Sequence, residues 1–546
     1  MLRAILHSLL LFATASAFSL GDIKHFLVIF FENRSFNHIF GCAAAKGLLP
    51  GVDGLKAGMG NYKDPSDPSS GFIDALEQCG KAEYVCSHSP DHSFPGTQQQ
   101  IFGGACDAAC AADCATRGTC PNETMGGYAY NSRTHNYSSM HAFNPEQLPI
   151  KIALAQEFAL FNNFYESMPG PSQPNHMFAQ SATACGATET GVVYEQCGGV
   201  LPLFPQRTIY ESLLDAGRDF RIFYNGSITE GGVPGDIYMG GLLKHLAGRA
   251  HTFDAKDSGF FDSAAKGTLP EFSWLLPRNG GAHPNDDHPC HDVALGEELL
   301  KSVYEALRAG PNWNDTALLV VYDDPGGFFD HVQPPLHAPP PNTPCDKKNS
   351  GCPDTFAFDR LGARLANLLI SPRVPKGAVY RDPAGPTNTS KFDLASIPAT
   401  VKNLFGLPHF LSERDAWSGS FHEAFTTPPR TDTPVHLPDA PPPTVGAATR
   451  HGCGAPADAT RRQKRHHSLL SHLLRDEDDG DDDGEVEEDD DGEEEDDDGA
   501  QIPGLGENSF LVTKGFDAMK SAIARKAERV LERLADGSLP VHADEL

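Results

Sequence analysis

Beyond its first residues, the sequence has no long apolar run. Leu6–Ala15 is an apolar segment behind the basic start Met1-Leu2-Arg3, and Ala15-Ser16-Ala17 has the A-x-A pattern of a cleavage site. These features predict a secretory signal peptide over residues 1–17. Because no later run has the roughly 20 apolar residues that a membrane-spanning helix needs, we expect the mature chain to be soluble.

A long basic face is also missing, which argues against nucleic-acid binding. The formal net charge is −30, but 19 of the acidic residues lie within the 23 positions of Asp476–Asp498. The remainder of the chain is therefore only moderately acidic. A run of this composition cannot bury a core, so we predict that it is disordered.

The 13 cysteines include no C-x-x-C pair. This absence, together with a secretory compartment, favours disulfides over a zinc cluster for the dense group between residues 79 and 120. We expect a Cys-rich insertion there, and the odd count leaves at least one thiol free or in an intermolecular bond. The group consists of Cys79, Cys86, Cys106, Cys110, Cys114 and Cys120.

The chain ends in Ala543-Asp544-Glu545-Leu546, which matches a K-D-E-L-type signal except at its first position. With a signal peptide, this ending predicts retrieval by a receptor to the lumen of the endoplasmic reticulum, or secretion if the signal is not read. Glycans are expected in this compartment at the sequons of Asn122, Asn136, Asn225, Asn314 and Asn388.

Between these ends, apolar strand-like and helix-like segments alternate, which favours an α/β fold with a mostly parallel sheet flanked by helices. We assign residues 18–430 to a catalytic domain and 431–507 to a Pro-rich, basic and then acidic disordered linker. Residues 508–546 are assigned to an amphipathic helix, Leu511–Leu534, and the terminal tail. Helices are also predicted at 209–216, 239–246, 294–309, 356–370 and 396–405.

Two stretches carry the predicted chemistry. The apolar run Ala317–Tyr322 ends at Asp323-Asp324, and the apolar run Phe26–Phe31 ends at Glu32-Asn33. Parallel strands deliver side chains at their carboxyl ends, so these four residues can meet in one crevice. Adjacent carboxylates repel each other unless a divalent cation neutralises them. We therefore predict a metal site, the alternative being two ordinary acidic turns.

Other residues are candidates for catalysis. Ser172 lies in a Pro- and Gly-rich turn before a helix, where the helix N-terminus favours an anion, which suits a nucleophile attacking phosphate; the alternative is a simple N-cap. His283, His288 and His291 share one polar loop, whereas His92 alone would be read as a surface residue. Asp330 and His331 follow the Asp323 stretch and could add a carboxylate and an imidazole.

These motifs resemble the phosphoesterase family, which groups phosphatidylcholine-type and plant non-specific phospholipases C with acid phosphatases. The resemblance covers most of residues 22–425. The segments that carry it are Glu32–Phe36, Pro169–Asn175, His288–Asp292, Tyr322–Val332 and Asn403–Trp417.

The resemblance implies an alkaline-phosphatase-like α/β core with divalent metal. Glu32, Asn33, Asp323 and Asp324 would be metal ligands and Ser172 the nucleophile. His92, His288 and His291 would contact the phosphoryl group or exchange protons, and Asn175 and His331 would contact substrate. Three positions depart from the family pattern: Asp324 stands where relatives often have glutamate, and Pro325 and Leu394 each stand where relatives often have histidine.

The function implied is hydrolysis of phospholipid head groups, with transient contact to a membrane surface. An acid phosphatase acting on soluble phosphomonoesters could use the same residues. A protein of another class is also compatible with the sequence, namely a calcium buffer of the endoplasmic reticulum in which the acidic run binds Ca²⁺ and the catalytic domain is degenerate.

Overall fold

The structure is a computed structural model that describes residues 23–103, 123–190, 206–225, 249–279, 283–343, 356–425 and 428–444. These residues all lie in the first of two units into which the chain divides, and the second unit, 454–529, lies outside the described residues. Within the part of the chain described, no helix combines the length and the apolarity needed to cross a membrane.

A sheet of eight strands forms the centre of the described chain, and two small strand pairs lie outside it. The strands are β1 His25–Phe31, β2 Gly60–Tyr62, β3 Phe72–Asp74, β4 Ala159–Phe161, β5 Phe164–Tyr165, β6 Phe220–Tyr224, β7 Ala250–Thr252, β8 Phe272–Leu276, β9 Thr316–Tyr322, β10 Leu368–Ile370, β11 Ala378–Tyr380 and β12 Phe392–Asp393. The order in the large sheet is β11-β4-β10-β9-β1-β8-β6-β7. Seven of these strands point the same way and β10 runs antiparallel to both of its neighbours.

Helices cover both faces of the sheet, as a fully buried parallel sheet requires. All seven residues of β9 and six of the seven residues of β1 are buried. The α-helices are α1 Cys42–Ala45, α2 Phe94–Phe102, α3 Tyr128–Asn131, α4 Pro149–Glu157, α5 Ser172–Ser181, α6 Ile209–Asp215, α7 Phe260–Lys266, α8 Val293–Ala309, α9 Ser396–Phe405 and α10 Glu413–Trp417. Helix α8 contacts both α4 and α7, and α5, α6 and α9 form a second group in which each helix contacts the other two.

The predicted mostly parallel α/β sheet is confirmed, and most of the predicted segments form the expected elements. One prediction is wrong: Phe356–Ile370 is not a helix. The segment runs extended through isolated bridges at Arg360, Arg364 and Leu365 and ends in β10. Arg364 is fully buried and binds Asp330 with Nε–Oδ1 2.9 Å and Nη2–Oδ2 3.1 Å. This distant ion pair, together with the strand pairing, overrides the helical spacing of the apolar residues.

The chain remains packed beyond residue 430, although a disordered linker is predicted from residue 431. Leu437 is buried, the Tyr304 hydroxyl donates to Pro434 O at 2.6 Å, and Thr444 N donates to Asp292 at 2.6 Å. These contacts fix the segment against α8 and its first turn. The predicted signal peptide, the helices at 239–246 and 511–534, the acidic run and the terminal tail lie outside the described residues.

The Cys-rich region is described only in part. Cys79 pairs with Cys42, which lies before the predicted insertion, and Cys185 and Cys290 are also disulfide-bonded. Among the described cysteines, Cys86 is the free one. Cys79 is thus disulfide-bonded, as predicted, and residues 104–122 lie outside the described chain.

Candidate active site

The carboxyl ends of β1 and β9 bring the predicted acidic residues together. The two strands pair in parallel with Phe31 opposite Tyr322, so that Glu32 and Asp323 follow at the same edge of the sheet. Asn33 N donates to Asp323 Oδ1 at 2.8 Å, which ties the two turns directly. Asn33, Asp323 and Asp324 are completely buried. The structure therefore forms the crevice that the two sequence stretches predicted.

Ser172 is the first residue of α5, and its hydroxyl points into this crevice. Its Oγ donates to Asp324 Oδ2 at 2.9 Å and lies 3.3 Å from Asn33 Oδ1. Pro171 is the N-cap residue of the helix, with no side-chain capping bond. The Ser172 hydroxyl is thus available to the acidic cluster, and the alternative that it merely caps the helix is not what the structure shows.

Two turns with left-handed backbone conformations approach each other closely beside the cluster. Asn33 has φ 58°, a left-handed conformation that is uncommon outside glycine and occurs preferentially at functional sites. Gly326 has φ 62°, and a Cβ at this position would lie 2.2 Å from Asn33 O. Gly326 N also donates to Asp324 Oδ1 at 2.6 Å. Only glycine permits this close approach of the two turns.

His176 joins the cluster, although the sequence analysis did not select it. Its Nε2 lies 3.2 Å from Glu32 Oε1 and 3.3 Å from Asp323 Oδ2. Residues four apart share one face of a helix, so the placement of Ser172 at the start of α5 carries His176 to the same crevice. That spacing in Ser172–His176 was the signal by which the residue could have been found.

The crevice holds several carboxyl groups close together in a buried environment, and this shifts their pKa values. Burial and the nearby Asp323 carboxylate raise the pKa of Glu32 to about 8. Burial, Asp323 and Glu166 raise the pKa of Asp324 well above its ordinary value. Burial also opposes ionisation of Asp323, but its hydrogen bond and charge interaction with His176 outweigh this and lower its pKa. Within the described residues, His176 is the basic side chain at ion-pair distance from Glu32 and Asp323.

The donor set fits a divalent cation. One ligand atom from each of Glu32, His176 and Asp323 lies within 4.8 Å of the others. Asn33 and Asp324 add further oxygen atoms through their contacts with Ser172. Carboxylate, amide and imidazole groups are ordinary ligands of divalent metals. A cation here would offset the burial and the charge repulsion that raise the pKa values of Glu32 and Asp324.

The three histidines predicted to act in catalysis, His92, His288 and His291, form a row that begins beside Asn33. Asn33 Nδ2 lies 2.9 Å from His92 Nε2, and the His92 ring is 6.4 Å from that of His288. His288 and His291 have ring centroids 5.4 Å apart, and His291 Nδ1 binds Asp286 Oδ1 at 2.5 Å. Asp286 in turn accepts from Glu32 N through its backbone oxygen at 2.8 Å.

The environments of His288 and His291 shift the pKa values of the two rings in opposite directions. Burial lowers the pKa of His288 to about 4, so this ring is neutral at physiological pH. For His291 the effect of burial is outweighed by the Asp286 carboxylate, which raises its pKa. Neighbouring groups with pKa values driven apart in this way are suited to opposite roles in proton transfer. His283, the third histidine of the segment, is exposed.

Two residues predicted to bind substrate have other contacts. The Asn175 amide is fully buried and binds Ser167 N at 3.0 Å and the carbonyls of Met168 and Gly170 at 3.1 and 3.3 Å, so it braces the loop that precedes Ser172. His331 lies near Asn37 and Asp53, at 2.8 and 3.4 Å, and these contacts do not reach the acidic cluster. The geometry gives no support to substrate contact by either residue.

The two positions where relatives often have histidine differ in their surroundings. Pro325 lies within the turn between Asp324 and Gly326, directly beside the site. Leu394 is completely buried in the hydrophobic core. The neighbouring Asp393 accepts from Ser167 Oγ at 2.9 Å, so that this segment supports the loop that precedes Ser172.

The family model for the Phosphoesterase family matches residues 23–408. The chain belongs to the phosphoesterase family. It is 38% identical over 431 residues to non-specific phospholipase C1 of Arabidopsis thaliana, covering 77% of this chain and 74% of that protein. Non-specific phospholipase C6 of the same plant is 37% identical over 434 residues, covering 77% of this chain and 76% of that protein.

More distant relatives extend the comparison. Phospholipase C A of Mycobacterium tuberculosis (strain ATCC 25618 / H37Rv) is 28% identical over 443 residues, which are 76% of this chain and 80% of that protein. A solved structure from the alkaline phosphatase superfamily, from Vibrio parahaemolyticus, matches with a TM-score of 0.29 and 12% identity over 50% of this chain and 64% of that one. This phosphoesterase family member is an enzyme, a phosphoric ester hydrolase of phospholipase C type.

Proposed function

We propose that the protein is a metal-dependent phospholipase C that removes the head group of a phospholipid with Ser172 as its nucleophile. The observation that carries this proposal is the 2.9 Å hydrogen bond from Ser172 Oγ to Asp324 Oδ2 inside a buried acidic cluster. Relatives that are 37–38% identical over about three quarters of the chain are named non-specific phospholipases C, which supports a phospholipid substrate.

The metal would be held by Glu32, Asn33, Asp323 and Asp324, with His176 as a nitrogen ligand that the sequence did not predict. A divalent cation bound there would polarise a phosphoryl oxygen and lower the pKa of the Ser172 hydroxyl. Asp324 accepts the hydrogen bond of that hydroxyl and holds Oγ in place. The sequence-based prediction of four ligands is therefore extended by one residue on α5.

The chain's own groups account for the two displacement steps. Ser172 Oγ attacks phosphorus in line as its proton passes to Asp324, which accepts its hydrogen bond. The bond from phosphorus to the glycerol oxygen breaks, and diacylglycerol leaves with a proton from an imidazole. Water then gives a proton to an imidazole and attacks the phosphodiester formed on Ser172. The phosphorylated head group leaves, and the proton held by Asp324 restores the serine hydroxyl. The protonated form of His291 suits it as donor and the neutral His288 as acceptor.

The test is release of phosphocholine and diacylglycerol from phosphatidylcholine vesicles by the purified chain, with and without a chelator, beside a soluble phosphomonoester. Chelator-sensitive release from vesicles is the expected result. Cleavage of the monoester alone would instead support the alternative, an acid phosphatase that acts on soluble phosphomonoesters. Activity that survives prolonged chelation would contradict the metal requirement, since the acidic cluster would then work without a cation.

We also propose that the protein acts in the secretory pathway and is retrieved to the endoplasmic reticulum through Ala543–Leu546. Support comes from the sequence features at both ends and from the disulfide between Cys42 and Cys79, a bond typical of oxidising compartments. Deletion of the last four residues should increase the secreted fraction. An unchanged distribution between cells and medium would show that the ending is not read.

A further inference from the structure

Arg34 is a buried cation without a direct counter-ion. The residue is fully buried, and among the described residues no carboxylate forms an ion pair with it. Its Nε donates to Asp287 O at 2.8 Å and its Nη1 lies 3.0 Å from His38 Nε2. The remaining nitrogen, Nη2, is buried and has no hydrogen-bond partner. Burying a charge in this state is costly.

The neighbouring imidazole does not supply the missing negative charge. His38 Nδ1 donates to His141 O at 2.7 Å, so its Nε2 accepts from Arg34. Burial and the charge of Arg34 lower the pKa of His38 well below its ordinary value, which keeps the ring neutral. The centroid of the Phe328 ring lies 5.0 Å from the guanidinium carbon and adds a cation–π contact, which stabilises the charge without neutralising it.

A cavity of about 90 Å³ lies against Arg34. Its wall contains a second polar group without a partner, the buried hydroxyl of Ser138. His135 and Asn136 line the rim and are exposed, so the cavity can be reached from solvent. Glu83 is also at the rim but exposed, where its carboxylate can remain hydrated. The volume holds several water molecules and therefore a small tetrahedral anion.

We propose that this cavity binds an inorganic oxyanion, phosphate or sulfate, between Arg34 Nη2 and Ser138 Oγ. Guanidinium and hydroxyl groups are the usual donors to such anions. An oxyanion there satisfies both unpartnered donors and neutralises the buried charge. None of the acidic cluster residues lines this cavity, so the site is separate from the one at Ser172.

The site also has a structural link to the catalytic turn. Arg34 directly follows Asn33, and its Nε holds Asp287 O next to His288. The bound anion therefore stabilises the guanidinium that joins the Asn33 turn to the histidine loop. We expect the folded enzyme to be more stable in phosphate or sulfate than in chloride of equal ionic strength.

Cys86 provides a local readout, because this free thiol is in the cavity wall. The full mature chain is alkylated with iodoacetamide, and labelling of Cys86 is followed by peptide mass spectrometry in sulfate, phosphate, phosphocholine or matched chloride. Sulfate and phosphate should slow the labelling of Cys86 several-fold, and Ser172→Ala should show the same protection. Protection by phosphocholine equal to that by phosphate would overturn the inorganic assignment in favour of a phosphate monoester.

Two matched variants locate the anion. Ser138→Asp and Ser138→Asn both remove the hydroxyl and the sequon at Asn136, and they differ only in charge. Ser138→Asp places a carboxylate beside Arg34. In this variant, oxyanions should neither slow the labelling of Cys86 nor raise the unfolding temperature of the protein. Ser138→Asn should retain both responses. The proposal would be overturned if the wild type had the same rate of Cys86 labelling and the same unfolding temperature in sulfate as in chloride. Full protection of Cys86 by sulfate in Ser138→Asp would also overturn it.

Discussion

The Ser172 hydroxyl donates a hydrogen bond to Asp324 Oδ2 at 2.9 Å, across 152 positions of sequence. The contact joins the first residue of α5 to the turn after β9, and it places one nucleophilic oxygen among groups that otherwise repel each other. A serine in this position has no evident structural duty, because the helix is capped by Pro171 without a side-chain bond.

Replacing Ser172 by alanine should therefore remove catalysis and leave the fold intact. We expect kcat on phosphatidylcholine to fall by at least ~10³-fold, as for other nucleophilic serines, with an unchanged unfolding midpoint. Ser181→Ala is the matched control, since Ser181 ends the same helix and its hydroxyl donates to Met177 O and to Thr183 O instead of to the acidic cluster. Retention of a tenth or more of the activity by Ser172→Ala would refute the nucleophile assignment.

His176→Ala should weaken metal binding. Loss of a nitrogen ligand between Glu32 and Asp323 is expected to reduce affinity by about 10–100-fold, the loss found even for groups that only orient a ligand. The measurement is the rise in unfolding temperature when Mg²⁺, Ca²⁺, Mn²⁺ or Zn²⁺ is added to metal-stripped protein. Unchanged or tighter binding would instead make His176 a counter-cation for the two carboxylates.

His331→Ala is the control for that experiment. The sequence placed His331 near the site because it follows Asp323 by only eight positions. Its contacts, however, are with Asn37 and Asp53. We expect its response to added metal to match that of the wild type, and a reduced response would return His331 to the metal site.

The sequence predicted the crevice well because the crevice follows from local features. Two apolar runs become neighbouring parallel strands, and the polar residues directly after them must then share one edge of the sheet. His176 was missed because its position depends on where α5 begins, which the Pro-rich loop obscured. The Phe356–Ile370 error has the opposite cause, because the partner of Arg364 is Asp330, a contact that no local spacing reveals.

Gly326→Ala should impair both folding and activity. A Cβ at this residue would lie 2.2 Å from Asn33 O, and φ is 62°. Gly406→Ala is a matched control, since its φ of 64° is similar but nothing lies within 4 Å of the added Cβ. The control should lose about 1 kcal/mol of unfolding free energy from backbone strain alone. Equal losses of stability and activity in both variants would mean that the approach of the two turns is unimportant.

Asp330→Asn should destabilise the protein without changing its response to metal. The carboxylate is fully buried and binds Arg364 through both oxygens, so its neutralisation leaves an uncompensated cation at a cost of about 3–5 kcal/mol. Denaturant unfolding provides the measurement. Glu146→Gln breaks an exposed pair with Lys46 and should cost less than about 1 kcal/mol. A metal response lost together with Asp330 would instead restore this residue to the ligand set.

Glu123 should make stability decrease as pH rises. Burial raises the pKa of its carboxyl group from 4.5 to about 7, and one of its oxygens has no hydrogen-bond partner. Below pH 4.5 the group is protonated in both states and its contribution to stability is complete. Between 4.5 and 7 the unfolded chain ionises first, so this contribution is lost as pH rises. Glu123→Gln, which keeps the sequon at Asn122, stays neutral throughout.

The variant should therefore match the wild type near pH 4.5 and exceed its unfolding free energy at pH 8, by on the order of 2 kcal/mol. Denaturant unfolding at the two pH values checks this, with Glu298→Gln on the exposed side of α8 as a control that should show no such difference. A Glu123→Gln protein that gains nothing at pH 8 would mean that the carboxylate is stabilised when ionised. Arg360, whose charge lowers the pKa of Glu123, would then be the partner to test by substitution.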